Sequence, residues 1–375
     1  MAPPPEIHGH ADAGFGPLAD AFRANFAERG EIGAACAVYL GGRQVVDLWG
    51  GSAGAGRSWQ ADTPAPVFSV TKALLSISAY MLRERGLLDL DAPVAAYWPE
   101  FAQRGKERIT LRQALSHRAG LPRLDEDLTP ADAAAWHPVI RAIERQAPLW
   151  EPGTAYRYHP LTFGWLIGEP IRRVTGLTPG QFLAAEIAGP LRADAWLGLP
   201  AGHRDCVARI QTVHPAPSPD APIDRAISLG RVFPGGVFAE HGGVNDLVLR
   251  PLEIPGGGAV ATAAGIARML AATVGEVDGV RLLGDDSVRD ALTVRSEGLD
   301  WEGNPANRFS TGFMVNGAPW RPLLSDASFG HDGACGQLAF ADADANLGFG
   351  YVNGSWLAED MRAERLVLAL RECLG

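Results

Sequence analysis

Apolar residues fall along this chain in alternating blocks, some at helical spacing and some in short continuous runs. Leu18, Phe22 and Phe26 fall four apart, so residues 17–29 are expected to form an amphipathic helix. Hydrophobic runs at 34–40 and 44–49 follow, joined through Gly41-Gly42-Arg43, the pattern of a β-hairpin with a glycine turn. From 70 to about 190 the pattern is mainly helical. One helix starts at Ser69 and stops near Gly86, a short one covers 110–121, and two more cover 162–175 and 179–188, with a kink expected at Pro170. Residues 200–245 are rich in Pro, Gly and His with weak periodicity. They suggest a long irregular pocket wall in which Phe233 and Phe238 are candidate lining residues. A helix at about 262–274, strand-like runs at 308–315, 339–341 and 347–352, and a closing helix at 357–373 complete the chain. Strands near both ends with helices between them predict an α/β (α+β) fold, one sheet built from the two termini and interrupted by a helical insertion.

Composition narrows the function classes. With 375 residues, 47% hydrophobic and 20% charged, the chain is long enough for a large core or two subdomains. A net charge of −10 with dispersed basic residues argues against nucleic acid and anionic membranes as partners. No run of 18 apolar residues occurs, so no membrane span is expected. The opening residues lack a basic and then an apolar region, so no secretory signal is expected. Cys36, Cys206, Cys335 and Cys373 are scattered, which suits reduced thiols in a cytoplasmic protein.

Candidate chemistry centres on Ser69-Val70-Thr71-Lys72. One helical turn sets Ser69 and Lys72 on the same face. A serine hydroxyl needs a neighbouring base before it attacks, and a lysine serves only if burial or nearby charge lowers its pKa. Of 33 basic residues only Lys72 and Lys106 are lysine, and arginine cannot stand in as a base. Two further stretches carry polar groups among glycines and aromatics: 152–166, with Tyr156 and Tyr158 before an apolar helix, and 329–336, with His331, Asp332 and Gly333. A tyrosine held near a cation can act as a base. His331 and Asp332 read better as a substrate-lining edge strand than as a proton relay, since neighbours on a strand face opposite ways. Asp89 and Asp91 read as turn and capping residues. Gly50-Gly51-Ser52-Ala53-Gly54 matches G-x-S-x-G, but that elbow needs a helix directly after the serine, and a glycine- and proline-containing loop follows here. His8 and His10 are the one close histidine pair, in a stretch that reads as a mobile tail. No H-E-x-x-H, dinucleotide or P-loop pattern is present, so no metal or organic cofactor is expected.

Together these stretches resemble the serine β-lactamase and penicillin-recognising superfamily, in particular family VIII carboxylesterases. Ser69-Val70-Thr71-Lys72 matches Ser-x-x-Lys, His117-Arg118-Ala119-Gly120-Leu121 is similar to the "LSHxSGL" segment, and Pro152-Gly153-Thr154 with Tyr158-His159-Pro160 aligns with "PGxxxxYSN". His331-Asp332-Gly333 falls where β-lactamases carry Lys-Thr/Ser-Gly. The resemblance implies a β-lactamase-like fold with an antiparallel sheet from both termini flanked by helices. Residues 1–72 and 255–375 would form the sheet domain, 73–254 a mainly helical domain, and the active site would lie between them. It also implies catalysis by Ser69, Lys72 and Tyr158, an oxyanion hole from the backbone N–H groups of Ser69 and Ala334, and substrate contacts from His331, Asp332, Gly333 and His159.

Two departures bear on the substrate. Pro160 replaces an asparagine that in β-lactamases holds the substrate amide, and His331 replaces a lysine that holds its carboxylate. A proline offers no side-chain hydrogen bond and a histidine side chain in water is mostly neutral at pH 7, so an uncharged small-molecule ester is the expected partner. The implied mechanism has Ser69 attack the ester carbonyl while Tyr158, its pKa lowered by Lys72, takes the proton. A β-lactamase, a D,D-peptidase or an acyltransferase on the same fold, a binding homologue without chemistry, and a Ser52 hydrolase are the alternatives. The sequence sets no oligomeric state.

Overall fold

A computed structural model describes residues 5–212, 229–233, 237, 243–318, 320–357 and 360–375. Strands β1 (Ile7–Ala11), β2 (Gly33–Leu40), β3 (Arg43–Gly54) and β4 (Arg57–Ser58) open the chain. Short β5 (Ala65–Pro66), β6 (Ala195–Leu197), β7 (Gln211–Thr212) and β8 (Ala259–Ala261) lie in its middle. β9 (Met314–Val315), β10 (Ser328–Asp332), β11 (Leu338–Asp342), β12 (Leu347–Asn353) and β13 (Ser355–Trp356) close it. The main sheet runs β1-β3-β2-β12-β11-β10-β9, with β4 on β3, and every pairing in it is antiparallel. At its centre β2 pairs with β12, Val38 opposite Phe349, so the two ends of the chain meet in one sheet.

Alternation along β2 separates two cores. Cys36 and Val38 face helix α1 (Gly16–Glu28) and the closing helix Arg362–Leu374 through Leu18, Phe22, Phe349, Leu366 and Leu370. Ala35, Ala37 and Tyr39 face the helix Ala263–Val274 and the helical body of the molecule. Side chains of successive strand residues point to opposite faces, which is why one strand serves both layers. The helical segment includes α2 (Val70–Glu84), α3 (Leu111–Leu115), α4 (Pro130–Ala134), α5 (His137–Arg145) and α6 (Thr162–Thr175). A small sheet, β5-β8-β6, draws together residues 65–66, 259–261 and 195–197 and so anchors the segment leading into α2.

Several elements depart from their expected form. The His8–His10 stretch is not a tail: β1 pairs with β3, His8 opposite Trp49 and His10 opposite Asp47. The short helix ends at Leu115 rather than 121, because His117 takes a left-handed backbone (φ +63°) that no α-helix continues through. The 308–315 strand shrinks to Met314–Val315, and the closing helix begins at Arg362, five residues later than expected. Residues 179–188 hold a helix only over Pro179–Leu183, followed by a π-helical turn, while α6 runs on through Pro170. Helices α4 and α5 stand within the stretch expected to be helical, and Asp285–Leu292 adds one not expected. In the 200–245 stretch, Phe233 is buried, whereas Phe238 and residues 213–228, 234–236 and 239–242 lie outside the described residues. Among the described residues, no helix is long and apolar enough to cross a membrane.

Candidate active site

The helix α2 is apolar on almost every face, and Val70, Ala73, Leu74 and Ile77 are fully buried, so its start is fixed by the core. Ser69 stands at its N-cap without spending its hydroxyl on a capping hydrogen bond. The residue before it, Phe68, has φ +48°, a left-handed conformation that costs a non-glycine residue about 1 kcal/mol or more. That turn is pinned by Thr71: its hydroxyl donates to the Phe68 carbonyl at 2.5 Å and accepts the Ala259 N–H at 3.0 Å.

Lys72, one turn on, is fully buried, and its Nζ lies 3.0 Å from Ser69 Oγ. It also donates to the carbonyls of Pro160 and Gly256, each at 2.6 Å. Burial penalises the ammonium and pulls the Lys72 pKa down to about 7, against the Asp332 carboxylate, which raises it. Close packing makes the Gly256 contact available. A Cβ on Gly164 of α6 would stand 2.1 Å from the Gly256 nitrogen, so only glycine lets α6 and the 255–258 loop meet.

Tyr158 donates to Ser69 Oγ at 2.7 Å. The segment 117–121 places it. His117 O accepts the Arg157 N–H at 3.1 Å, His117 Nδ1 accepts the His159 N–H at 3.2 Å, and Thr162 Oγ1 donates to the Leu121 carbonyl at 2.6 Å. The Tyr158 ring stacks on Phe309 with centroids 5.8 Å apart and 10° between planes. Burial raises the Tyr158 phenol above its ordinary range; the Ser69 hydrogen bond opposes this and the Asp332 charge adds to it. The expected depression of Tyr158 by Lys72 is therefore overturned. A lysine that burial has driven toward neutrality offers little charge to stabilise a phenolate.

His159 is also corrected. It is fully buried, Nδ1 donates to the Arg157 carbonyl at 2.6 Å and Nε2 accepts the Leu121 N–H at 3.0 Å, so neither ring nitrogen is left for a substrate. Burial carries its pKa down to about 3, and it stays neutral. Its neighbour Tyr156 points away from the site and donates to the Gly298 carbonyl at 3.0 Å.

β10 ends beside the nucleophile. His331 is buried, its Nδ1 donates to the Asp332 carbonyl at 2.8 Å, and its buried Nε2 has no hydrogen-bond partner among the described residues. The alternation argument fails at this pair. The strand ends at Asp332 and the ring folds back along it, so Nδ1 also lies 3.4 Å from Asp332 Oδ1. Arg321 Nε sits 3.3 Å from the other Asp332 oxygen. Burial raises the Asp332 carboxyl, but hydrogen bonding to His331 and the nearby Arg321 charge outweigh it and hold the group below the carboxylate range. A Cβ on Gly333 would lie 2.7 Å from the Val67 carbonyl, so the turn after β10 packs directly on the chain leading into Ser69. Among the described residues, neither the Ser69 N–H nor the Ala334 N–H has an acceptor. Ala334 itself is exposed.

Ser52 lies inside β3, which is followed by β4 rather than a helix, and its Oγ accepts the Gly54 N–H at 3.0 Å. Asp89 and Asp91 are turn residues: Asp89 accepts the Asp91 N–H, and Asp91 pairs with Arg112. Among the described residues, no group of three or more His, Cys, Asp or Glu gathers closely enough to hold a metal ion. Sequence reasoning missed the carbonyls of Pro160 and Gly256, which leave no side-chain signal, and the part His117 plays in holding the tyrosine loop.

Comparison with known proteins agrees with this geometry. The beta-lactamase family profile matches residues 18–371. The chain belongs to that family. It is 33% identical over 374 residues to the esterase/beta-lactamase LipL of Mycobacterium tuberculosis, covering 94% of this chain and 84% of that protein. Its structure superposes on a family VIII carboxylesterase with TM-score 0.88 and 34% identity, covering 98% of this chain and 100% of the other. A penicillin-binding protein homologue from Caulobacter crescentus gives 0.86 and 34% over the same shares. This beta-lactamase-family chain is a serine hydrolase with the β-lactamase-like fold.

Proposed function

We propose that the protein is a carboxylesterase that cleaves small, uncharged esters with short- to medium-chain acyl groups through an acyl-enzyme on Ser69. The observation that carries this reading is the meeting of Lys72 Nζ and Tyr158 OH on one hydroxyl, 3.0 and 2.7 Å from Ser69 Oγ. A neutral Lys72 has two N–H bonds for the Pro160 and Gly256 carbonyls and a lone pair left for the Ser69 proton. Lys72 takes that proton as Ser69 Oγ bonds to the ester carbon. The oxyanion accepts hydrogen bonds from the Ser69 and Ala334 N–H groups, donors of a kind that contribute roughly 10²–10³ each in rate. When the tetrahedral adduct collapses, the C–O bond to the alcohol breaks and Tyr158 gives the leaving alkoxide its proton. The Lys72 ammonium, 4.9 Å over the Tyr158 ring, favours the transient phenolate and returns the proton to it. Water then repeats the sequence on the acyl-enzyme. In this reading residues 1–72 with 255–375 form one unit, 73–254 the other, and the site lies between them.

Pro160 and His331 favour an ester over an anionic amide, and the likeness to a family VIII carboxylesterase and to esterase EstB of Burkholderia gladioli, 30% identical over 169 residues, supports it. A second activity, on β-lactams, is favoured by the likeness to LipL, named as both esterase and beta-lactamase. The test is hydrolysis of p-nitrophenyl butyrate by wild type, Ser69→Ala and Ser52→Ala, with intact mass after a phosphonate ester inhibitor. Ser69→Ala alone should abolish turnover and the adduct; an active, labelled Ser69→Ala removes the proposal. Nitrocefin turnover above ester turnover would move the assignment to β-lactamase.

A further inference from the structure

Behind the turn that carries Ala334 lies a cluster of buried polar groups that the mechanism does not use. Arg362, at the start of the closing helix, is fully buried. Its guanidinium donates to Glu31 Oε1 at 2.8 Å, to Ser355 Oγ at 2.6 Å, to the Ser355 carbonyl at 2.9 Å and to both oxygens of Asp360. Tyr351 caps the far side through its hydroxyl bond to Glu31. Such a cluster is costly to bury, and apolar residues of similar volume often stabilise a core as well or better. Its contacts converge on one residue, Cys335, and on the two peptide units that flank its α-carbon. The Cys335 carbonyl accepts from Asn353 Nδ2 at 2.9 Å and from Arg362 Nη2 at 3.3 Å, while the Cys335 N–H donates to Gln337 Oε1 at 3.1 Å. Gln337 is in turn tied to the Asn353 carbonyl at 3.3 Å, and both side chains are fully buried.

We propose that Asn353, Gln337 and Arg362 are positioning residues that clamp both polar groups of Cys335, and so fix the direction of the neighbouring Ala334 N–H, which has no acceptor among the described residues. This rests on the reading of Ala334 as an oxyanion donor. A donor aimed at the tetrahedral oxygen acts mainly in the transition state, so loosening it lowers kcat with little change in KM.

Asn353→Leu and Gln337→Met each remove one arm of the clamp, and Tyr351→Phe removes a bond of the same cluster that does not reach Cys335. With p-nitrophenyl butyrate, the first two should lose about tenfold in kcat with KM within twofold, and bind phenylboronic acid, which forms a tetrahedral serine adduct, weaker by about the same factor. Tyr351→Phe should lower Tm and keep kcat. Should Asn353→Leu fail to fold, Gln337→Met decides. Unchanged kcat in the folded clamp variants, or losses in all three that follow Tm, overturns the positioning role. Ser69→Ala is measured alongside. If it is inactive while the clamp variants match wild type, only this inference fails; if it is active, the reading beneath it fails too.

Discussion

Lys72 carries the most information per residue in this chain. A pKa near 7, set by burial, means that below about pH 7 the amine is protonated and cannot take the Ser69 proton. The kcat/KM profile is therefore expected to rise with an acid limb centred near 7. Asp332 raises the Lys72 pKa, so Asp332→Asn should move that limb to lower pH; a limb that stays in place would show that Lys72 does not set it. Gly333 offers a steric test beside it. A Cβ there meets the Val67 carbonyl at 2.7 Å, a backbone atom that cannot swing aside. Gly333→Ala should shift the turn by a few tenths of an ångström and lower kcat about tenfold, in line with the sensitivity of catalysis to small misplacements. Wild-type kcat would mean that the turn supplies no oxyanion donor. The Ser-x-x-Lys spacing was readable, and the resemblance to a family motif singled out Tyr158 over Tyr156, the tyrosine whose hydroxyl meets Ser69. What Tyr158 does was not, because its pKa depends on burial and on a lysine whose own charge depends on burial.

Among the elements, the segment 117–121 and the loop 157–162 act as one unit through two neutral histidines. His117 and His159 are both held below the histidine range, chiefly by burial. Above about pH 6.5 the histidines are neutral whether the chain is folded or not. Below it the unfolded chain takes up protons that the folded one refuses, His159 down to about pH 3, so stability falls with pH, by at most about 1.4 kcal/mol per pH unit for each group. Tm is expected to drop between pH 6.5 and 4, and His159→Gln should flatten that slope even if it lowers Tm throughout. An equally steep slope in His159→Gln would assign acid sensitivity to other groups. The sequence marked this segment by its likeness to a family motif and offered no role for it. The short α3 before it was readable in principle: Thr110 and Gln113 form a reciprocal capping box. Its end at Leu115 was not, since nothing local announces that His117 adopts a positive φ.

For the molecule as a whole, the central β2–β12 pairing joins the chain's two ends, and a second tie links the helical segment to the later chain. Arg112 of α3 bonds Asp290 through both carboxylate oxygens, along with Asp91 and Thr311, and Tyr80 of α2 donates to the same Asp290. Arg112 and Asp290 are largely shielded from solvent. Asp290→Ala should cost about 3 kcal/mol, because it leaves a shielded guanidinium half-paired; denaturant unfolding reads this, and a loss below about 1 kcal/mol would mark the cluster as incidental. What the sequence determined by itself was local in origin. Hydrophobic runs at 34–40 and 44–49 around a glycine turn made strands, apolar periodicity made α1 and α2, and a three-residue spacing on one helix brought Ser69 to Lys72. Only the tertiary structure decided the remainder: that 7–11 pairs as a strand, that the carbonyls of Pro160 and Gly256 receive the lysine, that His159 is walled off, and that a buried arginine stands behind the turn beside Ser69. Each of these depends on chain segments far apart in sequence, and neither burial nor a backbone acceptor is written in the residue that feels it.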